Sequence, residues 1–201
     1  MDQDDLCKAT KMLKNNKSRD PNDLINELFK EPYAGRDLYE ALLMMFNQIK
    51  ETKQFPDFMN KSNICSISKK KNSKHHIENE RGLFLLTTFK KIFENLLFNS
   101  LYEDIDRHMS ESNVGARKKR NLKDHILVMN GVINAAAKGK EESIEIQIWD
   151  LEKAFDSLWL LDCCNDAYDS LEESNRTDEL NVLNKMNEKN LMSVKTNHEG
   201  T

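Results

Sequence analysis

Residues 144–157 read Ile144-Glu-Ile-Gln-Ile-Trp-Asp150-Leu-Glu-Lys-Ala-Phe155-Asp156-Ser, and they are the most informative stretch of this chain. Isoleucine occupies every second position up to Ile148, an alternation that predicts a strand with one buried face. Asp150 follows directly, and a helix is expected from about Phe155 to Ser170. Because a strand holds its backbone in place, a carboxylate at its end is well placed to bind a divalent cation. Aspartate is also a common N-cap, so Asp150 could instead cap the helix that follows.

The composition of the chain fits a folded protein with an uneven distribution of charge. Its 201 residues are 38% hydrophobic, enough for one or two modest cores, and its net charge is -4. Residues 61–123 contain 14 Lys or Arg against 7 Asp or Glu, whereas residues 141–201 contain 5 against 15. A basic block followed by an acidic block suggests a surface for phosphates beside one for metal ions, or simply two solvated faces of opposite sign.

Cysteine usage and the N-terminus predict an intracellular protein, cytoplasmic or nuclear and not secreted. The four cysteines form no CxxC pair, which argues against a zinc site and a disulfide framework. The N-terminal residues are acidic and lack the apolar stretch of a signal peptide. No apolar run approaches the roughly 20 residues that span a bilayer, so no membrane partner is expected.

Apolar spacing and turn residues predict an α+β fold that is rich in helices and has short antiparallel strands. Two strands, 63–68 and 81–86, flank the basic turn 69–74 and are expected to form a hairpin. A further short strand is expected at 191–196. Helices are expected at 6–14, at 24–30 with Asp23 as cap, at 38–50 with Asp37 as cap, at 88–107, from Leu122 to before Gly139, and at 177–189.

The segment from Asp150 to Asp156 resembles motif A of reverse transcriptases, closest to those of non-LTR retrotransposons. Segments before it resemble earlier motifs of that family in the family's order: 13–30, 55–71, 81–94 and 112–126. After it, residues 194–196 with Gly200 resemble the strand that approaches motif B. The turn Asp20-Pro-Asn-Asp23 departs from the usual Gly-Pro-Asp-Gly. Motif B and the paired aspartates of motif C do not appear before Thr201.

This resemblance implies a partial right-hand polymerase, made of the fingers and the first part of the palm. Residues 1–140 would be a fingers-like region with the N-terminal motif and helices. Residues 141–201 would be a partial palm that carries motif A and stops before motifs B and C. The complete family enzyme is an RNA-directed DNA polymerase that extends a DNA primer on an RNA template, using deoxynucleoside triphosphates and Mg²⁺.

The resemblance also implies roles for residues of motif A. Asp150 would be the catalytic aspartate that bridges two Mg²⁺ ions, which polymerases hold roughly 3.5–4 Å apart. Leu151 would offer its backbone carbonyl to the nucleotide-bound ion. Phe155 would lie under the sugar and disfavour a 2′-hydroxyl, or it could pack in the core, and both could hold at once.

Two groups of basic residues match nucleic-acid or nucleotide contacts in the family. Lys69, Lys70 and Arg81 would grip the incoming triphosphate, since Arg binds phosphate bidentately and Lys supplies a mobile charge. They could instead form a solvated hairpin tip. The template-binding candidates, which could equally form a plain basic loop, are Arg117, Lys118, Arg120 and Lys123.

Three functional hypotheses follow from these residues. The chain is expected to be a truncated, inactive polymerase fragment, because a single aspartate supplies too few ligands to bind two metal ions. The alternative is a non-catalytic relic of a retrotransposon that still binds RNA. A third possibility is a product without a stable fold, because half of a palm sheet leaves an unpaired edge.

Overall fold

The computed structural model describes residues 1–68, 80–115, 117–139, 144–151, 160–171, 176–188 and 191–194. Within these ranges the chain is α+β, as predicted, with six α-helices, one 3-10 helix and one three-stranded sheet. In chain order the elements are α1 (Gln3–Lys11), the 3-10 helix (Asn26–Phe29), α2 (Arg36–Thr52), β1 (Lys61–Ser68), β2 (Glu80–Leu86), α3 (Thr88–His108), α4 (Leu122–Lys138), α5 (Leu160–Leu171), α6 (Thr177–Glu188) and β3 (Leu191–Val194).

The sheet confirms the predicted hairpin and adds a parallel strand to it. β1 and β2 pair antiparallel, with Ser62 opposite Leu86 and Ser68 opposite Glu80. The basic turn between them, residues 69–79, lies outside the described ranges. β3 pairs parallel with the other edge of β1, from Lys61 opposite Leu191. The sheet is therefore mixed, and the expectation of antiparallel strands alone was wrong.

Internal contacts divide the chain into two units. Unit 1 contains residues 1–102 and 171–201, and unit 2 contains residues 103–170. These limits differ from the predicted division after residue 140, because α6 packs against α2 and β3 pairs with β1. The assignment of residues 1–140 to polymerase fingers and 141–201 to a palm stays a prediction.

Unit 1 has one hydrophobic core, built where the apolar stripes of its helices meet. Phe93 of α3 is fully buried between Phe46 of α2 and Phe55, with ring centroids 5.3 and 5.7 Å away. The C-terminal α6 contributes Val182 and Met186 to the same cluster. Burial of aromatic and aliphatic side chains on this scale is the main favourable term in folding.

α1 begins at Gln3, three residues before its predicted start. Two predicted N-caps, Asp37 and Asp23, are also wrong. The N-cap of α2 is Gly35, which places Asp37 inside the first turn, where its charge still favours the helix dipole. Between residues 24 and 30 only the 3-10 helix forms, and its N-cap is Ile25. Asp23 has a φ of 63°, the left-handed region, whereas an N-cap residue adopts extended backbone.

In unit 2, α4 forms where the sequence predicts it but buries none of its residues. Asn121 and Asp124 form a capping box at its start. The predicted apolar stripe is exposed along its length, at Leu122, Ile126, Met129 and Ile133. Local capping and helix propensity therefore carry more of the stability of α4 than they do for the packed helices of unit 1.

The strand predicted over residues 144–148 is wrong. Residues 144–151 have no regular secondary structure, and all of them are exposed. Alternating isoleucines favour a strand only when a neighbouring strand supplies hydrogen bonds and another layer covers the apolar face. The described strands of the sheet pair among themselves and not with this segment.

Candidate nucleic-acid interface

Four exposed cations lie within six positions of the sequence, between the end of α3 and the first turn of α4. We call residues 117–123 the cationic loop, although its last two residues already belong to α4. Its exposed basic side chains are Lys118, Lys119, Arg120 and Lys123. A cluster of this kind attracts phosphates without reading base sequence, because the interaction is electrostatic.

Arg117 begins the cationic loop, and a carboxylate of α3 holds its guanidinium. Its Nε donates to Asp106 Oδ1 at 3.0 Å, and its Nη2 donates to Asp106 Oδ2 at 2.9 Å. Its Nη1 donates to the carbonyl oxygen of Met109 at 3.5 Å. The side chains of Arg117 and Asp106 are only 15% and 29% exposed. This is a bidentate, partly buried pair, the geometry in which Arg–carboxylate contacts are strongest.

Backbone hydrogen bonds and a left-handed residue shape the rest of the cationic loop. The N–H of Arg120 donates to the carbonyl of Arg117 at 3.3 Å, and Lys119 has a φ of 63°. At the start of α4, His125 Nε2 lies 2.8 Å from the carbonyl oxygen of Ser112, so this nitrogen carries the hydrogen. The cationic loop therefore contains a backbone turn, and the His125 side chain joins the residues after the loop to Ser112 before it.

The predicted metal ligand Asp150 lies at the exposed end of the irregular segment 144–151, beside the equally exposed Leu151. The described residues hold no group of three or more His, Cys, Asp or Glu that could bind a metal ion. An irregular exposed segment does not give the carboxylate the fixed backbone that a strand end would supply. The Mg²⁺ roles of Asp150 and Leu151 stay predictions, and Phe155 lies outside the described residues.

The predicted triphosphate-binding residues fall only in part within the described ranges. Arg81 is exposed on β2, with its Cα opposite that of Ile67 on β1. Lys69 and Lys70 lie outside the described residues. Their role toward a nucleotide stays a prediction.

Sequence reasoning missed a buried polar cluster at the N-terminus of α3. Asp20, 6% exposed, accepts hydrogen bonds from the backbone N–H groups of Asn22, Leu24 and Thr88. The Thr88 hydroxyl lies 3.3 Å from Asn26 Oδ1. The turn chemistry around Pro21 indicated a local role for Asp20, but no sequence pattern pairs it with a helix 68 residues later.

The first turns of α3 also carry charged groups whose proton affinities are altered. Burial lowers the pKa of Lys90, and the Glu94 carboxylate partly offsets this effect. Burial raises the pKa of Glu94, against the opposing charges of Lys90 and Lys91. For Lys91 burial again lowers the pKa, while the charges of Asp20 and Glu94 act in the opposite direction.

In comparisons with known proteins, no family model matches the chain, and no curated protein matches it. None of the described helices combines the length and apolar character needed to cross a bilayer. Among the predicted site residues that the structure describes, those of the cationic loop have the most defined arrangement.

Proposed function

We propose that this chain binds RNA through its backbone phosphates at the cationic loop, as part of a polymerase that resembles reverse transcriptases. The observation that carries the proposal is the outward cluster of Lys118, Lys119, Arg120 and Lys123, anchored at its base by Arg117 and Asp106. Side chains on a fixed loop lose less conformational entropy on binding than side chains on a loose one.

Four phosphate contacts give the proposal a quantitative form. Each neutralised phosphate releases bound counterions, so affinity falls with salt at a slope of about −0.7 per contact for a single strand. Four contacts give a slope of about −3 in a plot of log affinity against log salt. The net charge of -4 makes general attraction to RNA weak, so the binding has to be local.

Fluorescence anisotropy with a labelled single-stranded RNA tests this proposal between about 50 and 200 mM salt. Replacing all four loop cations with alanine is expected to abolish most of the binding. These are Lys118, Lys119, Arg120 and Lys123. The matched control removes four exposed lysines from the N-terminal segment, Lys8, Lys11, Lys14 and Lys17, with the same change in net charge.

Two results would reject RNA binding at the cationic loop. One is an unmodified protein that shows no affinity for RNA even at the lowest salt. The other is an equal loss in the loop variant and the N-terminal control, because that would make the effect one of net charge alone. A loss confined to the loop variant supports the proposal.

The second candidate function is RNA-directed DNA synthesis by the complete family enzyme. What supports it is that an antiparallel hairpin is followed by the long α3, because the resemblance implies a hairpin and a helix in that order. Asp150 and Leu151 would hold Mg²⁺, which would supply Lewis-acid chemistry at the reacting phosphate. We expect these 201 residues alone not to extend a DNA primer on an RNA template. Mg²⁺-dependent extension that Asp150→Asn abolishes would overturn that expectation.

A further inference from the structure

We propose that Arg117 is a positioning residue that makes no RNA contact, and that Asp106 acts through it to aim the cations of the loop. This inference rests on the proposed RNA binding. It separates one basic residue of the loop from the others, although all have the same charge and lie within seven positions of one another.

The guanidinium of Arg117 already uses its strongest phosphate-binding edge within the protein. An arginine recognises a phosphate most strongly through two parallel N–H donors on one edge of its planar group. In Arg117 the Nε and Nη2 edge already faces both oxygens of Asp106, at 3.0 and 2.9 Å. Its Nη1 is directed to the carbonyl of Met109. A phosphate contact through the strongest edge would have to displace a partly buried carboxylate.

Arg117 is also far less exposed than the other cations of the loop. The Arg117 side chain is 15% exposed, whereas the three basic residues that follow it are all exposed. A polyanion as large as RNA has much less access to Arg117 than to these residues. The phosphate contacts therefore fall to Lys118, Lys119, Arg120 and Lys123.

Arg117 also begins the turn that carries the next three cations. The carbonyl of Arg117 accepts the N–H of Arg120 at 3.3 Å, which closes a turn over residues 117–120. Lys119 holds a left-handed φ of 63° inside that turn, a conformation that non-glycine residues adopt only where the surroundings impose it. Without the pair to Asp106, the turn loses the contact that fixes its first residue to α3.

The slope of the salt dependence distinguishes a phosphate contact from a positioning role. Lys118→Ala removes a contact and is expected to make the slope shallower by about 0.7. Arg117→Ala is expected to lower RNA affinity by about two- to tenfold with no change in slope, since it loosens the loop and removes no contact. Asp106→Ala is expected to lower affinity by a similar factor, again without a shallower slope.

A charge swap provides a second variant that keeps the loop folded. Exchanging the partners, Asp106→Arg with Arg117→Asp, is expected to restore part of the affinity that either single change removes. If Arg117 contacts RNA instead, the swapped protein still places a carboxylate against phosphate, as Arg117→Asp alone does, and recovers none of the affinity that Arg117→Asp removes. Far-UV circular dichroism must show equal helix content in every protein compared.

The outcomes separate this inference from the proposed function. No binding by the unmodified protein rejects the proposed function. Binding by the unmodified protein, together with a slope made shallower by Arg117→Ala or a swap without recovery, rejects the positioning role alone. An unchanged slope in Arg117→Ala with recovery in the swap supports both.

Discussion

The carboxylate of Asp20 accepts a hydrogen bond from the backbone N–H of Thr88 at 2.6 Å, across 68 residues of sequence. One of the first N–H groups of α3, which has no partner inside the helix, is thereby satisfied by a side chain from the N-terminal turn. Lys90 N–H donates to the hydroxyl of Thr87 at 3.2 Å and satisfies a second such group. The longest helix thus begins on a contact with the first part of the chain.

Asp20→Ala should destabilise unit 1 by about 1–3 kcal/mol, because it leaves the buried N–H of Thr88 without its acceptor. Asp20→Asn retains an acceptor oxygen and should cost less. Chemical denaturation followed by circular dichroism measures both. Equal costs for alanine and asparagine would mean that the hydrogen bond to α3 contributes nothing beyond the charge.

Phe93→Ala should lower the free energy of unfolding by about 3–5 kcal/mol, since it opens a cavity between two aromatic rings in the core. Leu127→Ala on α4 is the matched control. Leu127 is 73% exposed, so its loss should change stability by no more than about 0.5 kcal/mol. If the two substitutions cost the same in a urea titration, the core of unit 1 is not where the structure places it.

The stability of α4 should respond to local changes, because none of its residues is buried. Asn121→Ala removes the side chain of the capping box and should weaken the helix by about 1 kcal/mol. Gly131→Ala should strengthen it by about 1 kcal/mol, since an added Cβ meets no atom within 4 Å. Amide hydrogen exchange across residues 122–138 should therefore speed up in the first variant and slow in the second. Exchange unchanged in both would show that other contacts hold the helix.

The packing of α6 against α2 should weaken at low pH because of Glu179. Burial raises the pKa of Glu179, but the hydrogen bond from Lys50 and the charges of Lys50 and Arg176 outweigh it and leave the pKa below its ordinary value. A carboxyl whose pKa is depressed in the folded state stabilises above the unfolded pKa, about 4.3, and loses that contribution as the pH falls further. Glu179→Gln should therefore be less stable than the unmodified protein at pH 7, and the two should converge in acid. Parallel stability curves from pH 7 to 3 would contradict this.

Glu94 should have the opposite effect on the pH dependence of stability. Burial raises its pKa in the folded protein, so its contribution is complete below the unfolded pKa and is lost as the pH rises through the folded value. Glu94→Gln should therefore gain stability relative to the unmodified protein as the pH is raised from about 4 toward 7. The same denaturation series measures it. A difference that shrinks with rising pH would mean that the charges of Lys90 and Lys91 outweigh burial.

Elements with strong local signals could be predicted from the sequence. The apolar stripe of α3, the spacing of α4 and the two strands of the hairpin all appear within one or two residues of the predicted bounds. Each of these depends on contacts close in sequence, which periodicity reports directly.

Features that depend on distant partners could not be predicted. The alternation from Ile144 to Ile148 indicates strand propensity, but no pattern reveals whether a neighbouring strand is present to pair with it. The parallel pairing of β3 with β1 joins two segments that are far apart in sequence, and no local pattern indicates it. Nothing in the sequence distinguishes Asp106 from the other acidic residues of α3. Only the fold shows that it pairs with Arg117.

Unit 1 combines residues 1–102 with residues 171–201. For example, Ser193 Oγ donates to Asn63 Oδ1 at 2.6 Å. On the ribosome, α2 and β1 emerge before residues 103–170, and those residues are synthesised before α6 and β3 follow. At about 5–20 residues per second, that interval is on the order of ten seconds. The nascent chain therefore exposes the open edge of β1 and the uncovered face of α2 for that time. These surfaces are where chaperones would bind it, and where neighbouring chains on one polysome would aggregate.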